Sequence, residues 1–377
     1  MPRIALMTAR DKMSSTLTDD HYFQIIHKKA LDLLISPNAV PVSDQRRLLL
    51  FDDFRNMIKG NPLSFSWPDA ILTKAIAVLD YDMPDPRNLD ALQRYYNRFL
   101  TAEGSIKKPI SNLDIALHGE ALLYLAIRTG EPRYHSAANQ LIKYLLDRAK
   151  SEGLSLAYRP KYINNIRLVD SLGMISPILA MYGTIYNNED AKQLAVSQVR
   201  EFIRFGIEHR SGLPFHGYNP DKNYSPIGIV GWGRLTGWYA LGLIDTLRQL
   251  PRASIERKEL ETAAFILAQN IRFYQNKDGG WNSIINVPSH FDSSATAMLT
   301  YFLCRAYLEG IIDASYKYSI NLGVAALKRH TRIDGTVDFA QGDIMDINRA
   351  STYYGPAPYA QGMALAAIFL ATRISSD

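Results

Sequence analysis

The hydrophobic and polar positions of this chain follow two alternating helical patterns. In one kind of segment, apolar residues recur at i, i+3, i+4 and i+7 with charged residues on the opposite side, which predicts helices with one buried face. In the other kind, Ala, Gly, Ser and Leu crowd together without a polar face, which predicts helices buried on all sides. The amphipathic segments are 134–149, 190–205, 256–274 and 316–328.

The small-residue segments recur at a spacing of about 60 residues. A repeat made of one buried helix and one half-exposed helix leaves apolar surface uncovered, so neighbouring repeats must stack. Six such hairpins predict a closed ring, an all-α (α/α)6 toroid in one domain. An open helical solenoid is the alternative, although solenoid repeats usually match one another more closely. The buried helices begin near Asn112, Leu168, Trp232, Asp292 and Tyr359, with a weaker copy at Trp67.

Composition narrows the class of protein. Length alone, 377 residues, favours about two domains, and the repeats replace this with a barrel over 61–377 and an N-terminal segment over 1–60 whose first helices pack on it. The net charge of +5 is spread without a basic block, which argues against nucleic-acid binding. The single cysteine, Cys304, excludes an internal disulfide and fits a reducing compartment.

Targeting signals are also unsupported by the sequence. The apolar start of the chain is interrupted by charges at 10–12, and the uncharged run 171–188 is too short and too polar to span a bilayer. We therefore expect a cytoplasmic protein that does not enter a membrane. The sequence does not indicate an oligomeric state.

Loops rich in Gly and Pro precede the buried helices, and they are the natural place for a site. The longest is 211–231, and shorter ones cover 277–281 and 354–359. Aromatic loops at one end of a helical bowl are typical of ligand sites. Motifs for metals, nucleotides and serine hydrolases are missing, so we expect no metal and no organic cofactor. Acidic and aromatic residues remain as the candidates.

Two carboxylates stand at equivalent places in consecutive repeats, Asp114 and Asp170. In a ring of hairpins, equivalent positions of adjacent repeats face the same mouth. Two carboxylates in a partly dry pocket repel each other, and the proton that one of them then keeps suits general acid/base catalysis. The alternative is that each aspartate caps its helix.

Trp232, Arg234 and Trp238 lie together at the start of one buried helix. An arginine between two indoles is suited to grip the carboxylate of an anionic oligosaccharide while an indole stacks on a sugar face. In the alternative, both tryptophans are core residues and Arg234 pairs with a structural aspartate.

The remaining candidates are loop residues. His216 and Tyr218 are candidate substrate-binding residues of the longest loop, and His216 either donates to a sugar oxygen or ties down its own loop. Trp281 and Tyr354 are candidate sugar platforms, with core packing as the alternative. His118, by contrast, is expected to be a core histidine.

Several of these motifs, taken in order, resemble glycoside hydrolase families 88 and 105, the unsaturated glucuronyl and rhamnogalacturonyl hydrolases. The similarity runs across about 65–375 and implies an (α/α)6 fold. The motifs are Asn112-Leu-Asp-x-x-x-x-Gly, Val169-Asp-Ser-Leu-Gly-Met, His216-Gly-Tyr, Trp232-Gly-Arg-x-x-Gly-Trp, Asp278-Gly-Gly-Trp and Tyr354-Gly-Pro-Ala-Pro.

The resemblance also implies a chemistry. Such enzymes act on lyase-generated oligosaccharides that carry a C4=C5 double bond in the uronic acid at the non-reducing end. Asp170 would be the general acid/base that protonates C4 before water adds at C5, and Asp114 would hold the substrate and tune Asp170. His216, Trp232, Arg234 and Trp238 would line the site.

Five positions depart from the family pattern and predict an altered pocket wall, one of them Leu168, where a Trp or similar residue is usual. An aromatic residue is usual where Gly173 stands, Gly and Asn where Leu235 and Thr236 stand, and Glu where Asp292 stands. An unusual uronic acid, or loss of the activity, would follow. The alternatives are an inverting hydrolase, a lyase or an epimerase on the same fold, and a non-catalytic sugar-binding protein.

Overall fold

Helices of two kinds alternate along the chain, as the sequence predicts. The computed structural model describes residues 17–35, 65–158, 165–343 and 347–376, and these contain twelve α-helices. The outer helices are α1 (Asp19–Ile35), α3 (Pro86–Phe99), α5 (Pro132–Glu152), α7 (Glu189–Phe205), α9 (Ile255–Phe273) and α11 (Lys317–Arg329). The inner helices are α2 (Trp67–Asp82), α4 (Gly119–Thr129), α6 (Asp170–Ile185), α8 (Gly233–Leu247), α10 (Ser293–Leu308) and α12 (Pro358–Ser376).

Burial separates the two sets of helices. Every residue of α8 is buried, because small side chains let its neighbours approach on all sides. In the outer helix α9, by contrast, burial is confined to one stripe at helical spacing. The predicted pairing of one buried helix with one half-exposed helix is therefore confirmed.

The inner helices close into a ring, which confirms the (α/α)6 toroid and excludes the open solenoid. Each inner helix packs on the next, and α12 packs on α2 to complete the circle. Helix α1 packs on α12 and serves as the outer partner of the last inner helix. Most of the predicted N-terminal segment 1–60 lies outside the described residues, so the boundary at 60 stays a prediction.

Local signals in the sequence set the helix boundaries. Asp85 caps α3 by accepting from the backbone N–H of Arg87 at 2.8 Å, and Asn188 and Ser254 cap α7 and α9 in the same way. Gly130 ends α4 in the left-handed region, with φ of 70°, which a residue with a side chain rarely adopts.

Short strands at the mouth of the ring were not predicted. Strands β1 (Arg167–Leu168), β2 (Gly217–Asn219) and β3 (Ser225–Ile227) form an antiparallel sheet in that order. Strands β4 (Ala340–Gln341) and β5 (Tyr354–Gly355) form a second antiparallel pair. These strands are too short for an alternating hydrophobic pattern to reveal them in the sequence.

A buried charged cluster joins four inner helices. Lys74 of α2 contacts Glu120 of α4 at 2.8 Å and Asp245 of α8 at 2.7 Å, and Tyr301 of α10 donates to Asp245 at 2.9 Å. Burial opposes the charge on Lys74, but the two carboxylates outweigh it and raise its pKa. This cluster ties the inner helices together inside the ring.

Among the described residues, no helix is both long enough and apolar enough to cross a bilayer.

Candidate active site

The starts of the six inner helices meet at one end of the ring and carry the candidate residues. Asp170 is the first residue of α6, and Asp114 lies in the 3-10 turn Leu113–His118 that leads into α4. The N-cap positions of these two elements are Asn112 and Val169, so neither aspartate stands at the cap position that the alternative assignment requires. The 3-10 turn packs directly against α6, which places the two aspartates on adjacent elements.

The small sheet brings His216 beside Asp170. Leu168 of β1 pairs with Gly217 of β2, and the backbone N–H of Val169 donates to the His216 carbonyl at 2.9 Å. A Cβ at Gly217 would lie 2.3 Å from the Arg167 carbonyl oxygen, so this register needs glycine. Because Asp170 follows β1 and His216 precedes β2, the pairing sets the two side chains together.

The Asp170–His216 pair is the most distinctive geometry of the site. The Nε2 atom of His216 lies 3.6 Å from Oδ2 of Asp170. Both atoms are buried, and neither has a hydrogen-bond partner within the described part of the chain. The Asp170 side chain nevertheless keeps 16% of its surface exposed, whereas His216 keeps none. A carboxylate that is reachable on one side, and whose Oδ2 has no hydrogen bond from the described residues, is suited to meet a substrate.

One tautomer of His216 follows from its other contact. Its Nδ1 atom lies 3.0 Å from the Ile347 carbonyl oxygen, and a carbonyl only accepts. Nδ1 therefore carries the hydrogen, and in the neutral ring Nε2 presents a lone pair toward Asp170. A protonated Asp170 can donate to this lone pair, and an ionised Asp170 can accept from a protonated ring.

Asp114 is buried in the 3-10 turn that packs against α6. It exposes only 7% of its surface, and its Oδ2 accepts from the Tyr158 hydroxyl at 3.4 Å. Its predicted role in holding the substrate stays a prediction.

Arg234 is engaged within the protein. It is 2% exposed, it donates through its two terminal nitrogens to the carbonyls of Gln341 and Gly342, and it stacks over the Tyr359 ring at 5.3 Å. Burial opposes the charge, but Tyr359 and the carboxylates of Asp343, Asp292 and Asp170 raise the Arg234 pKa. Asp343 lies 3.9 Å away. This arrangement is closer to the structural alternative than to a free uronate clamp.

Trp232 and Trp238 are both buried beneath the candidate site. Trp232 is fully buried, donates to the Gln341 side chain at 2.6 Å and sets its ring edge against His216 at 5.8 Å. Trp238, 1% exposed, packs edge-on against Trp67 at 5.8 Å. Both rings support the site from below and expose no face for stacking on a sugar.

Trp281 and Tyr218 are core residues, contrary to the predicted contact with sugar. Trp281 is fully buried and donates to the Ile271 carbonyl of α9 at 2.7 Å. Tyr218 is fully buried and donates to Glu201 at 2.8 Å, and burial raises its pKa. A sugar platform needs an exposed ring face, which neither residue has. Tyr354 is half-buried, with its ring against His290, and stays a candidate.

The predicted altered pocket wall is also wrong in its location. Gly173, Leu235, Thr236 and Asp292 are all buried, and Thr236 binds the Trp232 carbonyl of its own helix. Asp292 caps α10 by accepting from Ser294 N–H at 2.9 Å, and burial raises its pKa. These changes act through packing beneath the site. His118 is a core histidine as expected, stacked on Phe65 at 3.8 Å.

The sequence profile described as Glycosyl Hydrolase Family 88 matches residues 48–374, which is most of the chain. The chain belongs to glycosyl hydrolase family 88. The name of the family describes glycoside hydrolases, and the activity and substrate of this member are separate questions.

Solved structures share the fold of this family 88 member at low sequence identity. A family 105 glycoside hydrolase of C. acetobutylicum has a TM-score of 0.77 at 17% identity, covering 93% of this chain and 99% of that one. An unsaturated glucuronyl hydrolase specific for heparin has a TM-score of 0.73 at 13% identity, covering 96% and 99%.

A curated relative matches only part of the chain. The 24.9 kDa protein in picA locus of Rhizobium radiobacter is 32% identical over 130 residues. The match covers 31% of this chain and 54% of that protein, so this chain spans about half the length of the curated relatives it matches.

Sequence reasoning missed three residues that the structure places at the mouth. Trp67 is half-buried, and its ring tilts over Tyr359 at 4.7 Å. Gln341 connects Trp232 and Arg234 to the strand pair β4–β5. Trp67 and Tyr359 stand at the starts of two repeats, and comparison of all six repeat starts would have found them. Gln341 carries no such signal.

Proposed function

We propose that this family 88 member releases a 4,5-unsaturated uronic acid from the non-reducing end of lyase-generated oligosaccharides. One observation carries the proposal: the Asp170 carboxylate, part-exposed at the mouth, has its Oδ2 atom 3.6 Å from the unpartnered Nε2 of His216 in the described residues. A vinyl ether needs one such proton donor at carbon. Ordinary glycosidic hydrolysis needs two carboxyls flanking the anomeric carbon.

The proposed reaction uses one carboxyl in two roles. Asp170 gives its proton to C4, and the ring oxygen supplies the electrons that leave a cation at C5. Water adds at C5 and returns a proton to Asp170. The hemiketal then opens by breaking its bond to the ring oxygen, and the anomeric carbon, now a hemiacetal, releases the next sugar. In this scheme the buried His216 ring, 3.6 Å away, packs beside the Asp170 carboxyl and helps to fix its position.

Other residues take supporting roles in the proposal. Asp114 holds the substrate near Asp170, and Trp67, which is less buried than Trp232 and Trp238, contacts the sugar. Arg234 adds positive charge that favours an anionic sugar, although two carbonyls occupy its terminal nitrogens. The names of the solved neighbours, which include an unsaturated glucuronyl hydrolase, support the same substrate class. We propose the cytoplasm as the location, on the sequence grounds given above.

A panel of unsaturated disaccharides with product analysis tests the proposal. We expect the ultraviolet absorbance of the conjugated alkene to fall and a free sugar to appear. A lyase would instead create the absorbance, and one solved neighbour of this fold is named a polysaccharide lyase. An epimerase would release no sugar, and a binding protein would retain the intact oligosaccharide. Absence of absorbance loss with every member of the panel would refute the proposal.

A further inference from the structure

We propose that Gln341 is the residue that positions His216 toward Asp170. Its relevance to catalysis rests on the function proposed above, but the positioning itself does not. Gln341 is 2% exposed and touches neither Asp170 nor His216 in any hydrogen bond of the described structure. It acts instead by joining the elements that surround His216.

All polar groups of Gln341 are used. Its backbone N–H donates to Asp292 at 3.0 Å, and its carbonyl accepts from Arg234 and from the Tyr359 hydroxyl, the latter at 2.6 Å. These contacts reach the starts of α8, α10 and α12. A single residue of β4 therefore connects the starts of three inner helices through hydrogen bonds. Its side chain remains available for other elements.

The Gln341 side chain reaches His216 by two routes. Its Oε1 accepts from the Trp232 indole at 2.6 Å, and that indole packs edge-on against the His216 ring. Its Nε2 donates to the Ser351 carbonyl at 2.9 Å, in the segment that carries Ile347. The Ile347 carbonyl in turn takes the His216 Nδ1 hydrogen at 3.0 Å. The His216 imidazole is thus held by packing against Trp232 and by the hydrogen bond from its Nδ1 to the Ile347 carbonyl.

Only an amide of this length supplies both routes, because one needs an acceptor and the other a donor. Gln341→Met keeps the size and removes both contacts. Gln341→Glu keeps the acceptor for Trp232 but loses the donor to Ser351. If both routes contribute, Gln341→Glu should perturb His216 less than Gln341→Met does.

Gln361 provides a matched control. It is a buried glutamine at the start of α12, 1% exposed, and its amide also uses both groups. It accepts from Val337 N–H at 2.9 Å and donates to the carbonyls of Ile26 and Gly335 at 3.2 and 3.0 Å. Those partners lie on the α1 side of the ring. Gln361→Met should therefore cost stability without altering His216.

Histidine ¹⁵N spectra of the full-length protein test the positioning directly. His216, assigned by comparison with His216→Gln, should show the Nδ1–H tautomer in the wild type. Gln341→Met should mix the two tautomers, Gln341→Glu should mix them less, and Gln361→Met should leave the wild-type signal. An unchanged His216 signal in a folded Gln341→Met variant would overturn the proposal. If that variant does not fold, an unchanged signal in Gln341→Glu would do so.

Turnover of an unsaturated disaccharide supplies the second readout. Misplacement of a catalytic group by about 1 Å costs up to about 100-fold, so we expect kcat of Gln341→Met to fall about 10- to 100-fold. KM should change little, and the pH profile of kcat should shift. Equal losses in Gln341→Met and Gln361→Met would overturn the catalytic part. If the wild type shows no turnover but Gln341→Met still changes the His216 tautomer, the proposed function is refuted and the positioning role of Gln341 stands.

Discussion

Gly173 offers the sharpest test of how the packing beneath the site works. This residue lies in α6, and a Cβ built on it would lie 2.5 Å from Cε3 of the Trp238 indole and 2.9 Å from the Trp238 carbonyl oxygen. Real Cβ atoms essentially never approach other atoms within 3.0 Å. In Gly173→Ala the Trp238 ring must therefore move, and so must part of the α8 backbone.

Two opposing effects set the size of the change. Alanine in a helix interior is more favourable than glycine by about 1 kcal/mol. Overpacking a closely packed core costs about 1–3 kcal/mol, and the upper part of that range applies because a backbone carbonyl is one of the obstacles. We therefore expect Gly173→Ala to lower the free energy of unfolding by about 1–2 kcal/mol. The displaced indole should also disturb Trp67 and raise KM.

Urea unfolding followed by circular dichroism measures the first effect, and a double-mutant cycle with Trp238→Phe isolates its cause. The smaller ring should relieve part of the clash, so the two substitutions should be coupled by about 1 kcal/mol. A Gly173→Ala variant that is as stable as the wild type, or fully additive effects in the cycle, would refute this account of the packing.

Two further predictions concern buried charged or titratable groups. Burial lowers the pKa of His118 to about 3, so the native state binds fewer protons than the unfolded state between about pH 6.5 and 3, and stability falls as the pH falls. Between pH 7.5 and pH 5, the free energy of unfolding measured by urea titration should fall by about 2 kcal/mol more in the wild type than in His118→Asn. Equal decreases in the two proteins would contradict a buried neutral His118 ring. Lys74→Met should lower the free energy of unfolding by about 3–5 kcal/mol, because it leaves the buried carboxylates of Asp245 and Glu120 without a cation. Adding Asp245→Leu to Lys74→Met should restore part of this free energy, and a double variant no more stable than Lys74→Met would argue against the ion cluster.

The helical architecture was predictable because it depends on local periodicity. The amphipathic segment predicted at 190–205 is the helix Glu189–Phe205, and the segment at 256–274 is Ile255–Phe273. The ring followed from the number of repeats, since each repeat must cover its neighbour. The short strands at the mouth escaped prediction, because strands of two or three residues are defined by partners distant in sequence.

The site was predictable only in part, for a related reason. Asp170 and His216 stand in recognisable motifs, and the structure brings them together. The sequence could not show that Arg234 and Trp281 are engaged within the protein, because their hydrogen-bond partners belong to elements that are distant along the chain or in another helix. Gln341 meets Trp232 across 109 residues of chain, a contact that no local pattern announces.

The most direct test of the central claim compares wild type and Asp170→Asn on an unsaturated disaccharide that the wild type consumes. General acid/base catalysis contributes about 10²- to 10⁴-fold. We therefore predict that the ultraviolet absorbance of the alkene falls at least about 100-fold more slowly with Asp170→Asn, while the substrate still binds. An Asp170→Asn variant that consumes the alkene as fast as the wild type would contradict the account.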